Sequence, residues 1–181
     1  NLALMLQLVS RLPRRAGLSL DLALVASLGD AELAALAQPL GWSFDAGRLH
    51  RDGAVSIQVH RGVFPAVLQS SDLVIGMAGT AVEQAVGLAR PALQLPGQGP
   101  QFTAAFAEAQ RRLLGPSVFC AAGEAGSTDN LQASAELCLD LLQRCRSDGS
   151  LHRRCREEAQ RRLGNRGGGS RMASAISELL P

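Results

Sequence analysis

Apolar residues recur at Leu2, Met5, Leu6, Val9 and Leu12. That is one helical stripe, and Pro13 ends it. From Leu18 to Leu28 the chain is apolar except at Ser19, Asp21 and Ser27, which predicts a buried strand. Asp30 is placed to cap a helix that buries Leu33, Leu36, Ala37 and Leu40 and closes at Gly41. Residues 42–51 and 54–60 read as short strands turning at Asp52-Gly53, with Val55, Ile57 and Val59 alternating. Residues 63–70 make a short helix.

The most regular unit follows. Asp72–Gly76 reads as a buried strand, Ala78-Gly79-Thr80 as a tight turn, Thr80–Leu88 as a helix and Pro91–Pro96 as the next strand. The Gly97–Pro100 loop leads into a helix expected to turn Phe102, Ala105, Phe106, Ala109 and Leu113 inward. Ser117–Ala121 is a last strand and 123–130 a loop. Residues 131–146 and 150–163 are helices, and a final helix carries Met172, Ile176 and Leu179 on one face. Strands alternating with helices of this length build a parallel sheet covered on both faces. The fold class is therefore α/β, a Rossmann-like parallel sheet flanked by helices, with 1–181 read as a single lobe and 166–181 as its terminal crossover helix.

Composition narrows the function. The 181 residues are 46% hydrophobic and 19% charged, a globular balance, and no apolar run approaches the roughly 20 residues that span a bilayer. The opening Asn1–Leu6 has no basic lead and is followed by Arg11-Leu12-Pro13-Arg14-Arg15, the wrong order for a signal peptide, so a cytoplasmic location is expected. Every one of the 18 basic residues is Arg and Tyr is absent, which removes a catalytic lysine and a tyrosine acid from these residues. Cys120, Cys138, Cys145 and Cys155 form no CxxC pair, and His50, His60 and His152 do not join them at ligand spacing, so no metal is expected. Cys138 and Cys145, seven apart, share a helix face as small core residues.

The net charge of +2 does not by itself imply nucleic acid. Arg144 to Arg171, however, holds nine Arg against Asp148, Glu157 and Glu158, a local charge of 9 − 3 = +6. That segment is either a solvated helix face or a contact for anionic lipid head groups or phosphates. No aromatic residue interleaves with the arginines, which argues against nucleic acid.

Two loops could carry chemistry, because ligands of parallel sheets bind beyond the C-terminal strand ends. In Gly76-Met77-Ala78-Gly79-Thr80, small residues allow close backbone approach, and the helix start behind them attracts phosphate. Thr80 is suited to cap that helix. Glu83 is then either its capping-box partner or an exposed carboxylate for a ribose diol. In Gly97-Gln98-Gly99-Pro100-Gln101-Phe102, whose tip should lie beside the first loop, Gln101 could bond a phosphate or sugar hydroxyl; the alternative is a plain strand-to-helix connection. The chain has no GxSxG, no P-loop and no GxGxxG, which argues against an ATPase and against a nicotinamide or flavin cofactor.

The stretch Ser71–Pro91, around the Gly79-Thr80-Ala81 run with Glu83 on the next turn, resembles the sugar-nucleotide-binding lobe of GT-B glycosyltransferases. Within them it is most similar to the lipid-A-disaccharide synthase family and its less characterised related proteins. Leu95–Phe102 and Phe106–Gly115 look like that related branch. The peptidoglycan N-acetylglucosaminyltransferase and UDP-N-acetylglucosamine 2-epimerase are similar in layout. The specific likeness covers about residues 70–120.

The resemblance implies a C-terminal GT-B lobe that binds a UDP-sugar of the UDP-N-acetylglucosamine type for transfer to a lipid-linked acceptor. Gly79 and Thr80 would face the diphosphate, Glu83 the ribose, and Gln98 and Gln101 the diphosphate or donor sugar, with Gly76 in the same UDP-sugar site. The uracil would stack near His60-Arg61-Gly62. The final helix would cross to an N-terminal acceptor-binding lobe that these residues do not include. In such lobes a strand and a Pro-Gly-Ser-Arg loop precede the first helix, whereas Asn1 opens directly on that helix. The chain is therefore expected to lack its first strand, to carry no catalytic residue and to be inactive alone. A 2-epimerase-like enzyme, a non-catalytic nucleotide-binding module and a fragment that does not fold alone are the alternatives.

Overall fold

A computed structural model describes residues 1–14, 17–77, 79–95, 97, 103–147, 149–164 and 167–179. The chain opens with α1 (Leu2–Val9), which buries Leu6, Leu8 and Val9. Leu12 is also buried, but through a tighter turn beyond the helix: Arg11 N–H donates to the Leu8 carbonyl and Leu12 N–H to that of Val9. Strand β1 (Leu20–Leu24) leads to α2 (Asp30–Ala37). Gly29, not Asp30, caps α2; Asp30 is its first residue and pairs with Arg61 at 2.8 Å. Leu33 and Ala37 face the core, whereas Leu36, expected inside, is half exposed.

The next segment departs most from the sequence reading. β2 (Ser43–Asp45) and β3 (Arg48–His50) form a hairpin whose two-residue turn is Ala46-Gly47, at φ 46° and 76°. Positive φ at both positions is the type I′ geometry that matches strand twist. Asp52-Gly53 instead lies in a longer connection to β4 (Ile57–Arg61), which runs antiparallel to β3 and parallel to β1. The four-stranded sheet, in order β1-β4-β3-β2, is thus mixed rather than all parallel. The reason is connection length: strands a few residues apart can only turn back, since a parallel return needs a helical crossover.

After α3 (Phe64–Ser70) come β5 (Val74–Gly76), α4 (Thr80–Gly87), β6 (Ala92–Gln94), α5 (Ala104–Leu114) and β7 (Val118–Phe119). The three strands form a separate all-parallel sheet, β5-β6-β7. β6 is buried on both faces: Ala92 packs with Val82, Val86, Leu114 and Val118 of a smaller cluster, and Leu93 joins the main core with Leu6, Leu131 and Leu141. Three helices complete the chain: α6 (Thr128–Ser147), α7 (Ser150–Leu163) and α8 (Gly168–Leu179). Cys138 and Cys145 both face the core, as their spacing implied. α6 starts earlier than its apolar pattern because Asn130 is buried and donates to the carbonyls of Ala121 and Ala122.

α5 buries a different face from the one expected. Ala107, Gln110 and Leu114 are inside, while Ala105 and Ala109 are exposed and Leu113 is 64% exposed. Thr103 caps the helix by accepting from Phe106 N–H, and a buried hydrogen bond draws Gln110 inward. The helix therefore turns its Ala107/Leu114 stripe to the sheet. α8 buries nothing among the described residues; Met172, Ile176 and Leu179 line an open face. No helix among the described residues is long and apolar enough to cross a membrane.

Candidate functional site

The turn from β5 into α4 lies at the C-terminal edge of the parallel sheet, and local chemistry fixes its shape. Gly79 sits at φ 74°, ψ −154°, a region open in practice only to glycine, and it precedes the helix as its N-cap. Thr80 is therefore the first residue of α4, one position past the cap, and its side chain caps nothing. The expected Thr80/Glu83 capping box does not form. Glu83 is exposed, and among the described residues its carboxylate has no hydrogen-bond or ion-pair partner. Of the two roles open to Glu83 from spacing, the structural one is lost, and the carboxylate stands free one turn into the helix.

Two glutamines hold this turn from beneath. Gln94, at the end of β6, is fully buried. Its Nε2 donates to the Met77 carbonyl at 3.0 Å and to Gln110 Oε1 at 2.7 Å. Gln110 Nε2 in turn donates to the Gly79 carbonyl at 3.2 Å. The relay ties strand, helix and loop together, and both loop carbonyls are turned inward to amide donors. Sequence reasoning missed both glutamines. The available signal was Gln94 itself, a polar residue inside the apolar run Ala92–Leu95, because a buried amide there must find partners.

Close packing sets the remaining geometry. A Cβ on Gly76 would lie 3.0 Å from Val82 Cγ2. A Cβ on Gly97 would meet Met77 Cε and Leu4 Cδ1, each at 2.7 Å. Gly97 thus sits close to Met77 of the first loop and to Leu4 of α1; the tip of the second loop, expected beside the first, lies outside the described residues. Gln98 and Gln101, proposed from sequence for the diphosphate or sugar, lie outside the described residues. So Gly76, Gly79, Thr80 and Glu83 are brought to one strand end, with Gly97 packed close to Met77 beside them.

The segment expected near a base, His60-Arg61-Gly62, is already engaged. His60 Nε2 lies 2.6 Å from Asp21 Oδ1 on β1. Arg61 Nε donates to the Leu28 carbonyl while its guanidinium pairs with Asp30. These side chains brace β1 and α2.

The basic segment divides in two. Arg144 pairs with Asp140 and sits 5.9 Å from the Phe119 ring centroid, and Arg146 donates to the Gly17 carbonyl. Arg161 and Arg162 bond Glu158, holding its carboxyl below the usual range. Arg162 also donates to the carbonyls of Arg112 and Leu113. These arginines are structural. Arg153, Arg154 and Arg156 of α7 are exposed and make no ion pair among the described residues. Comparison with protein-family models and with curated proteins gives no match to this chain.

Proposed function

We propose that the chain is the donor-binding lobe of a glycosyltransferase similar to lipid-A-disaccharide synthase, binding a UDP-sugar that an intact enzyme transfers to a lipid-linked acceptor. The observation that carries this reading is the Gly79 turn. It starts α4 at a parallel strand end with the Glu83 carboxylate free on the first turn. A diphosphate at that turn meets unpaired N–H groups and the positive end of the helix, and a ribose diol one turn further meets a two-oxygen acceptor. The same N–H groups would stabilise the charge that grows on the diphosphate as it leaves. None of the described residues is assigned to proton transfer; in this reading that falls to an N-terminal lobe, and the open apolar face of α8 is suited to reach it. Arg153, Arg154 and Arg156 would keep the enzyme at an anionic membrane surface.

The test is a calorimetric titration of UDP into the chain and into Glu83→Ala. Saturable binding, weakened about tenfold or more by the substitution (roughly 1.4 kcal/mol), is the expected result. Binding that ignores Glu83, or no binding by a chain shown folded by circular dichroism, contradicts the reading.

A further inference from the structure

Gln94 and Gln110 form a hydrogen-bond chain that can run in only one sense. The Gly79 carbonyl can only accept, so the end of Gln110 that meets it at 3.2 Å must be the amide nitrogen. Gln110 therefore turns its oxygen to Gln94, 2.7 Å away, and Gln94 must answer with nitrogen. The far end agrees. The same Gln94 nitrogen lies 3.0 Å from the Met77 carbonyl, another pure acceptor. Two carbonyls thus fix both amides, and neither amide can be flipped without setting oxygen against oxygen. Both side chains are buried away from water.

Peptide planarity carries the chain one group further. In a trans peptide the C=O and the N–H point opposite ways, and no cis bond occurs among the described residues. With the Gly79 oxygen drawn in to Gln110, the Thr80 N–H of the same peptide points away from the relay. Thr80 is exposed, and its N–H has no partner among the described residues. The Gly79 oxygen also accepts from Val82 N–H at 3.0 Å and Glu83 N–H at 3.3 Å. Those two helical donors already set the direction of the carbonyl. The third donor, Gln110, is not needed to aim it; what it adds is polarisation. Hydrogen bonds in series strengthen one another by about 10–30% per bond, and most where water is excluded. The Gln94 amide, the Gln110 amide and the Gly79–Thr80 peptide are three such groups in series. Their free donor lies at the start of α4.

We propose that Gln110, backed by Gln94, is a positioning residue for the donor diphosphate: the relay polarises the Thr80 N–H and directs it to a phosphate oxygen. This rests on the reading of the turn as a UDP site. It adds a discrimination to that reading. A polarised donor gains with the negative charge that it meets, so the relay favours the charged phosphates of UDP and is silent towards neutral uridine. Gln110 itself never touches the ligand; it acts through the peptide between them.

The test compares the full chain with Gln110→Met and Gln94→Met. Gln110→Met keeps the length of the side chain but cannot donate, and it leaves the Met77 and Gly79 carbonyls with their other donors. Gln94→Met cuts the chain one link earlier. In the ligand-free protein the Thr80 amide proton, read by NMR, should move upfield in Gln110→Met and by less in Gln94→Met. Titrations of UDP and of uridine into labelled protein should then show UDP weakened about threefold or more by Gln110→Met (roughly 0.65 kcal/mol) and uridine unchanged. Equal weakening of both ligands would mean that Gln110 only braces the turn, and an unmoved Thr80 proton would mean that no polarisation passes. Either result overturns the proposal. UDP that fails to bind the folded wild-type chain overturns the site reading and the proposal with it, whereas UDP binding that ignores Gln110→Met overturns the proposal alone. If circular dichroism shows one variant unfolded, the other carries the same comparison.

Discussion

Replacing Gln94 by Leu tests whether the buried amide relay holds the candidate site. The side chain is fully buried and donates at 3.0 Å to the Met77 carbonyl and at 2.7 Å to Gln110 Oε1. Leucine is close in size, so the change removes donors without opening a large cavity. Two acceptors lose their partner, at about 1–3 kcal/mol each, and the new apolar contacts return about 1–2 kcal/mol. Taken at the middle of those ranges, the net expectation is a loss of about 2.5 kcal/mol. The double variant with Gln110→Leu should cost less than the sum of the singles, because it removes the stranded Gln110 oxygen too; a coupling of about 1–2 kcal/mol is expected. Urea unfolding followed by circular dichroism measures both, provided the slope with denaturant is unchanged. A Gln94→Leu loss below about 0.5 kcal/mol, the range of neutral surface changes, or strict additivity of the pair, would refute the relay.

Four further outcomes follow from the same structure. Gly79→Ala forces a side chain into a φ 74°, ψ −154° backbone and should cost about 1–3 kcal/mol in urea unfolding although its Cβ would meet nothing within 4 Å; a neutral result would mean the turn relaxes freely. Leu114→Ala should lose about 2–5 kcal/mol and Leu113→Ala less than about 0.5, and the reverse ranking would restore the face of α5 expected from periodicity. Burial pushes the Cys138 and Cys145 thiols up to about 11 from an ordinary 9.0. The unfolded chain therefore ionises first, and stability should be full below pH 9 and fall as pH rises towards 11. Maleimide at pH 8 should modify exposed Cys120 long before the three buried thiols, and equal rates would show that the core opens readily.

The sequence made individual elements legible and their pairing much less so. The β5-α4-β6 unit, the helices α3, α6, α7 and α8 and the shared face of Cys138 and Cys145 follow from local periodicity, which needs no knowledge of neighbours. Failures occur where a distant partner decides. The face of α5 depends on Gln94, sixteen residues away, drawing Gln110 inward. The hairpin turns at Ala46-Gly47 because β3 pairs Leu49 with Ile57 and needs its tight turn before, not after, that strand. Glu83 leaves the capping box because Gly79, the only residue type that fits the turn's backbone, takes the cap from Thr80. Leu18–Leu28 reads as a buried strand, and β1 forms within it, but among the described residues it is paired on one edge only, by β4, and it stays partly exposed. The candidate loop was legible as a Gly/Thr turn at a strand end; Gln94 was legible only as a polar residue inside an apolar run, and its partners, Gln110 and the Met77 carbonyl, were not.

The most direct test of the central claim locates the ligand as well as detecting it. UDP titrated into isotopically labelled protein should shift the amide signals of Gly76, Gly79, Thr80, Glu83 and Gly97 together, with one saturation curve, and leave Arg153, Arg154 and Arg156 in place. Shifts confined to those arginines would mean that the phosphates find only basic surface, and the reading of the β5–α4 turn as a donor site would be contradicted.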